Sequence, residues 1–485
     1  MSNQIHIIQN AITTTISEIF RGDFRRICEV KKAVLHLEAI YFCHGTCYLL
    51  KRENMPIKDQ LALYQRIELI PQSTTEFFEN NRECIINNWP EESALAAKPE
   101  ILYDALLASE FCVQPESVGY KIDKVSRDIA GAYYTSSDFS AQITYRALES
   151  YMDRKRRRAI DSDSFACCNE YENITFLDYS CGCGEFLLAV IQYFDNHVLG
   201  YSRKKLATQL RGVDVNPIAL MITIARIVSA VEAEDDENLL REVAKNFIVG
   251  NPLLHSDKIA PLEVRFDNFA LNRLYAETEG INCLELEQQN LVVLGNPPWE
   301  KLRFEERAFF RPVCPAISAI SQKNKREKEI KKLAVNWLEL LEYYQLLQDD
   351  YASVKKEIPK HPLLKVSLVG ELNTYAMFAE LASRLTEKDG FAAIIVKSAL
   401  VTSTCYSSCF RHFVNQGSLS EVFLFDNREK LFQIDSREKF CVLFFGGEHA
   451  GGIKVHYGLT KQEQILSSVP INVTSEELEL INPET

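Results

Sequence analysis

The sequence has no apolar run of 18 or more residues, so no membrane-spanning helix is expected. It has no charged, apolar and small-residue succession of the secretory kind at its start, and the expected location is the cytoplasm. Positive charge is not in excess. Lys and Arg total 54 against 67 Asp and Glu, a net charge of -13, which argues against an obviously basic nucleic-acid binder when taken over the whole chain. Paired metal-ligand spacing is missing from the 14 cysteines. Cys181 and Cys183 are one residue apart and Cys167 and Cys168 are adjacent, whereas zinc sites space their pairs by two to four residues. No metal is expected, and cysteines within apolar stretches, such as Cys43, Cys47 and Cys441, read as buried thiols of a reducing compartment. No Asp…Glu-x-Lys arrangement of a metal-dependent nuclease stands out. No repeat or low-complexity tract is present, and collagen-like, coiled-coil and wholly disordered classes are excluded.

What is present is a globular chain of 485 residues, 46% hydrophobic and 25% charged, long enough to bury a large core. Residues 1–125 read as a helical region, with Ile16, Ile19 and Phe20 opening an apolar face that Leu61, Leu63, Ile67 and Leu69 continue. A scaffold or partner surface is the expected role there. From Ile174 the texture changes to short apolar runs separated by helical segments: 174–177, 212–213, 247–249, 291–294 and 391–396. Strands alternating with helices imply an α/β fold with a parallel sheet. In such sheets ligands bind beyond the carboxyl ends of the strands, so the residues just after each run matter most.

Three motifs sit at those positions. Asp178-Tyr179-Ser180-Cys181-Gly182-Cys183-Gly184-Glu185-Phe186 is a strand end, a two-glycine turn and a helix start. Its glycines allow a ligand to approach the backbone, although Leu187 stands where a dinucleotide fingerprint has its third Gly. Asp214, in Arg211-Gly212-Val213-Asp214-Val215-Asn216-Pro217, ends the next strand, where a carboxylate can accept from both ribose hydroxyls of an adenosine ligand. Gly295-Asn296-Pro297-Pro298-Trp299 follows the run 291–294. Two prolines hold the backbone rigid, the Asn296 amide both donates and accepts, and the Trp299 indole is flat. Together they suit a planar group that bears an amine.

On these residues the chain resembles the N6-adenine DNA methyltransferases of the gamma class. Asn296-Pro297-Pro298-Trp299 resembles their catalytic tetrad, and Asp178 to Phe186 resembles their Asp-x-x-Cys-Gly-x-Gly-x-Phe cofactor loop. Gly131-Ala132-Tyr133-Tyr134-Thr135 is similar to the Gly-x-Tyr-Tyr-Thr segment that precedes the sheet. Leu372 to Glu380 looks like the helix after the catalytic strand, and Asp426 to Glu429 with Asp435 to Phe440 like the late hairpin strands. The order, and a long charged stretch after Trp299, resemble the methylase part of type IIG restriction–modification and phage-defence enzymes. The likeness covers roughly residues 125–480.

The resemblance implies a Rossmann-like S-adenosylmethionine-dependent methyltransferase sheet over 126–460, with a helical insertion at about 300–360. It implies site-specific methylation of adenine N6 in double-stranded DNA (EC 2.1.1.72), the base being flipped out of the helix. Tyr134 and Thr135 would contact the methionine part of S-adenosylmethionine. Asp178, Gly182, Gly184 and Phe186 would form the cradle for its amino-acid end, Asp214 would hold the ribose and Asn251 would face its adenine. Asn296 and the Pro297 carbonyl would hold the target amine, with Pro298 beside them, and Trp299 would stack on the base. Residues 461–485 are expected to be a stub leading toward an absent target-recognition domain. A separate recognition or restriction subunit is the partner that this implies.

Three departures are visible. Cys183 replaces a common Ser, Leu291 lies near the place of a usual acidic residue, and Asn251 stands where Asp is common, so the cofactor adenine is expected to be bonded differently. Two basic clusters, Arg154 to Arg158 and Lys323 to Lys332, are expected beside the site as phosphate contacts. A protein-glutamine or RNA methyltransferase and a non-catalytic methyltransferase-like subunit remain the alternatives.

Overall fold

The computed structural model describes residues 2–96, 98–122, 135–161, 171, 173–286, 290–386, 389–416, 418–446, 452–474 and 476–477. Tyr134 and the rest of the segment 131–134 lie outside them. The architecture is α/β. Thirteen strands form one large sheet and two small ones among the described residues.

A hairpin pairs β1 (Ser109–Gln114) with β2 (Ser117–Ile122). The central sheet takes β3 (Thr175–Asp178), β4 (Leu210–Asp214) and β5 (Phe247–Val249), while β6 (Asn251–His255) and β7 (Gly280–Ile281) pair apart from it. It continues with β8 (Leu291–Gly295), β9 (Phe391–Lys397), β10 (Leu419–Asp426), β11 (Lys439–Phe445), β12 (Ile453–Leu459) and β13 (Ile471–Val473). The strand order is β13-β12-β10-β11-β9-β8-β3-β4-β5. Strands β5, β4, β3, β8 and β9 are parallel, and β11 inserts antiparallel between β9 and β10. The sheet is therefore Rossmann-like, with its winding reversed at β3, where β4 and β8 flank it on opposite sides.

Composition explains the layering. Strands β8 and β9, Leu-Val-Val-Leu-Gly and Phe-Ala-Ala-Ile-Ile-Val-Lys, are buried along nearly their whole length. Continuous apolar strands of this kind need helices on both faces. The helix Pro217–Ala230 supplies one cover: Pro217 opens it and Asn216 Oδ1 accepts from Ile218 N–H at 2.9 Å. That helix is itself buried on nearly all sides, because the N-terminal helix Ile27–Leu49 packs over it, with Cys43 Sγ 3.3 Å from Met221 Sδ.

The described residues between 2 and 122 are thus a third layer on the central sheet rather than a free module. They are helical as read, except that 109–122 form the β1–β2 hairpin. The layer also grips the insertion, through Trp337 Nε1 donating to Arg25 O at 2.7 Å and Arg311 pairing with Glu110 at 3.2 Å. The insertion holds the helices Glu306–Val313, Lys323–Asn336 and Leu338–Glu357. Within the segment read as a stub, β13 pairs antiparallel with β12 and extends the sheet.

Candidate functional site

The reversal at β3 opens a crevice between the carboxyl ends of β3 and β8. There the structure has a cleft of about 1180 Å³. Thr135, Asp178, Gly182, Phe186, Asp214, Asn251, Asn296, Pro298 and Trp299 all line it. Gly184, one turn further on, opens the helix Glu185–His197 in a left-handed conformation, φ +85°.

The loop after β3 is held from several sides. Asp178 Oδ1 accepts from Ser180 N–H at 3.0 Å, and Asp214 Oδ2 accepts from Gly182 N–H at 2.9 Å. Thr223 Oγ1 donates to Gly182 O at 2.7 Å, and Arg226 donates to Cys183 O while pairing with Glu185 at 2.8 Å. Gly184 has no room for a side chain, since a Cβ there would lie 2.7 Å from Thr223 Cγ2. A Cβ at Gly295 would lie 2.7 Å from Asp178 Oδ1, which is why the residue before Asn296 is Gly.

Asp178 is 2% exposed. Burial pushes its carboxyl up to about 8, and the neighbouring Asp214 pushes the same way against the Ser180 N–H. Burial also raises Asp214. Two buried carboxyls with no cation beside them among the described residues favour a ligand that brings one.

The tetrad is strapped to the next helix. Thr374 Oγ1 donates to Pro298 O at 2.6 Å, and Thr374 N–H donates to Glu300 O at 3.0 Å. Asn296 Nδ2 donates to Thr135 Oγ1 at 3.2 Å, which ties the amide to the segment before the sheet. Trp299 is 4% exposed. Its indole N–H donates to Ile395 O at 3.4 Å, its ring stacks with Phe440 at 6.0 Å, and Phe432 meets it edge-on at 5.2 Å. The ring therefore packs the floor of the cleft as well as lining it. Asn251 is turned into its own loop: Nδ2 donates to Leu274 O at 2.7 Å and Oδ1 accepts from Leu253 N–H at 3.0 Å.

The basic clusters fall elsewhere. The helix Ser137–Asp161 starts beside the site and runs about 37 Å at 1.5 Å per residue. Arg154 consequently lies at the opposite end of the strands, before β9 begins, where it is buried and donates to Asp389 O, Gly390 O and Gly446 O just outside β9 and β11. Lys323 to Lys332 do not line the cleft either. Its rim is made instead by Lys301, Arg303, Arg307 and Arg311. Sequence reading also missed the N-terminal wall, where Lys31, Glu38 and Tyr103 line the cleft and Asn216 Nδ2 donates to Tyr103 Oη. A buried Tyr at helical spacing carries no local signal of that kind.

Among the described residues no group of three or more His, Cys, Asp or Glu is placed to hold a metal, and no helix is long and apolar enough to cross a membrane.

No protein-family model and no curated protein matches the chain. Solved structures do. A DrdV–DNA complex matches with a TM-score of 0.47 and 13% identity, over 97% of this chain and 46% of that one. The ATP-dependent type ISP restriction–modification enzyme LlaBIII bound to DNA gives 0.49 and 9%, over 96% and 31%. The methyltransferase subunit of a type I restriction–modification system from Streptococcus thermophilus gives 0.37 and 11%, over 100% and 92%. The chain spans less than half the length of the first two. At such identities and TM-scores the fold is read from the strand order itself, and activity is argued from the site.

Proposed function

We propose that the chain is a DNA methyltransferase that transfers the methyl group of S-adenosylmethionine to N6 of an adenine flipped out of DNA, within a restriction–modification or phage-defence system. The observation that carries this reading is the convergence on one cleft of the loop Asp178 to Cys183, Asp214, Asn296 and Pro298, with Pro297 between the last two but not among the lining residues.

The residues fit the cofactor. Gly182 leaves the loop open to a ligand, Gly184 lets Thr223 pack behind it, and Asp214 keeps lone pairs for a diol after accepting Gly182 and Asn216 N–H. Asp178 is a buried acid suited to an ammonium group. When bound, the cofactor supplies a methyl group on a cationic sulfur, open to attack by a nucleophile.

An aromatic amine is a poor nucleophile because its lone pair is delocalised into the ring. In this reading the Asn296 carbonyl and the Pro297 carbonyl accept from the amine and draw it out of the ring plane. That is catalysis by orientation and fixed polarity, with no strong base required. Thr374 holds the turn through Pro298, and Thr135 holds the amide. The target is out of reach within a duplex, so it must leave the stack.

Partner dependence follows from charge. Of the rim cations, Lys301 and Arg303 pair with Glu371, and Arg311 pairs with Glu110. A rim so neutralised, on a chain of net charge -13, grips phosphate weakly. Sequence reading of DNA is assigned to a separate recognition or restriction subunit.

The test is transfer of labelled methyl from S-adenosylmethionine to duplex DNA, RNA and protein, with and without candidate partners, followed by nucleoside digestion. N6-methyladenine in DNA is expected. Label on RNA or on protein alone overturns the reading.

A further inference from the structure

Asn251 lines the cleft but spends its amide inside its own loop. The loop that holds Asn251 continues from Leu274 into Tyr275. Tyr275 is buried, lines the cleft and donates its hydroxyl to Glu300 Oε1. Glu300 follows the tetrad directly and lines the same cleft. Its Oε2 has no protein partner among the described residues. Beside the pair, Phe304 and Tyr351 present half-buried rings to the cleft, 5.7 Å apart, and Tyr351 lies 5.3 Å from Tyr275.

We propose that Glu300, oriented by Tyr275, reads the adenine of the nucleoside cofactor in place of Asn251, with Phe304 and Tyr351 of the insertion as the apolar wall against which that ring lies. Glu300 acts as a carboxylic acid. Burial pushes it up to about 7, and the Tyr275 hydroxyl offsets this only in part. Tyr275 is itself raised by burial and by Glu300, so it remains a donor. With Oε1 accepting from Tyr275, the acid proton belongs on Oε2. A carboxylic acid then offers a donor to adenine N1 and an acceptor to the N6 amine, the pair of groups that distinguishes adenine from hypoxanthine. The charged or titratable groups facing this site are Tyr275, Tyr351, Asp350 and Glu305. In this arrangement the insertion closes the nucleoside end of the cleft, and residues 300–351 belong to cofactor binding.

The inference rests on the methyltransferase reading, and its test separates the two. S-adenosylhomocysteine and S-inosylhomocysteine are titrated calorimetrically into the full chain. Wild type is expected to prefer the adenosine ligand by roughly 10–100-fold, the range of one bidentate edge contact. Glu300→Gln, whose amide presents the same acceptor to Tyr275 and the same donor to the ring as the neutral acid, is expected to keep adenosine binding within about threefold and to keep the preference. Glu300→Ala is expected to weaken the adenosine ligand about tenfold or more, to leave the inosine ligand within about threefold, and so to lose most of the preference. Phe304→Leu, which keeps apolar bulk but not a flat ring, should weaken both ligands by about the same factor. An unchanged preference in Glu300→Ala overturns the inference. Absence of any binding to wild type overturns the methyltransferase reading itself. A variant that binds the inosine ligand at wild-type strength is folded, so loss of preference there is not loss of structure.

Discussion

The affinity for S-adenosylhomocysteine should trace a bell against pH, with one limb from each of two buried carboxyls. Asp178 must be ionised to meet the ligand ammonium, and burial holds it near 8 in the free protein. Binding therefore strengthens with rising pH, by about tenfold per unit well below 8, because the fraction ionised grows tenfold per unit there. At pH 6 roughly one molecule in a hundred carries the carboxylate, so the acid limb spans about two orders of magnitude. Glu300 must be protonated and is held near 7, so binding weakens by up to about tenfold per unit above that value. The maximum falls between the two, about pH 7–8. The limbs belong to different residues and can be removed singly. Asp178→Asn should flatten the acid limb and lower the maximum by about tenfold or more; Glu300→Gln should abolish the alkaline limb and leave a plateau above pH 8. Titration calorimetry in two buffers of different ionisation heat also reads proton release on the acid side. Equal affinity at pH 6 and 8 in wild type and Glu300→Gln alike, with no proton released, refutes the role given to Asp178. Groups facing Asp178 are Asp214, Tyr179 and Cys181; burial raises all three, and it pushes the Tyr179 and Cys181 groups so far up that both stay neutral across this range.

Four further outcomes are expected. Asn296→Ala should cut methyl transfer by about 10²–10³-fold while S-adenosylhomocysteine still binds within about twofold, as read by initial rates and calorimetry; undiminished transfer would remove Asn296 from the chemistry. Gly295→Ala places a methyl group 2.7 Å from Asp178 Oδ1, so it should cost about 1–3 kcal/mol in urea unfolding and weaken the ligand more than about tenfold. Trp299→Ala should cost about 3–5 kcal/mol of stability, because the ring fills the space between Phe432, Phe440 and β9; a change in activity with no change in unfolding midpoint would contradict that packing role. Arg146→Ala leaves Glu421, bonded to Arg146 at 2.7 Å and to His456 at 2.9 Å, with one partner fewer. The expected loss is ~2–3 kcal/mol, below that of a fully buried pair because the Arg146 side chain is 31% exposed.

Much of the sheet was legible because its signals are local. Buried parallel strands must be continuously apolar, and the residue after each is forced into a turn. Asp178, Asp214 and Asn296 could therefore be placed at strand ends without knowing which strands were neighbours. The basic clusters misled for the opposite reason. Arg154 and Lys323 are near the motifs in sequence, but a helix of 25 residues carries Arg154 to the end of the strands away from the cleft. The stub expected after 460 contains β13, a short edge strand whose pairing with β12 no local pattern announces.

By itself the sequence determined the fold class and the chemistry-bearing strand ends, because hydrophobic period and turn residues act within a few positions. Only the tertiary structure decided what surrounds them. It put the N-terminal layer on the cleft wall, sank Trp299 into an aromatic floor, closed the Asn251 amide on Leu274, and brought Tyr275 to Glu300. Each of these depends on contacts between residues distant in the chain or on where a side chain turns, and neither is written in the spacing of nearby residues.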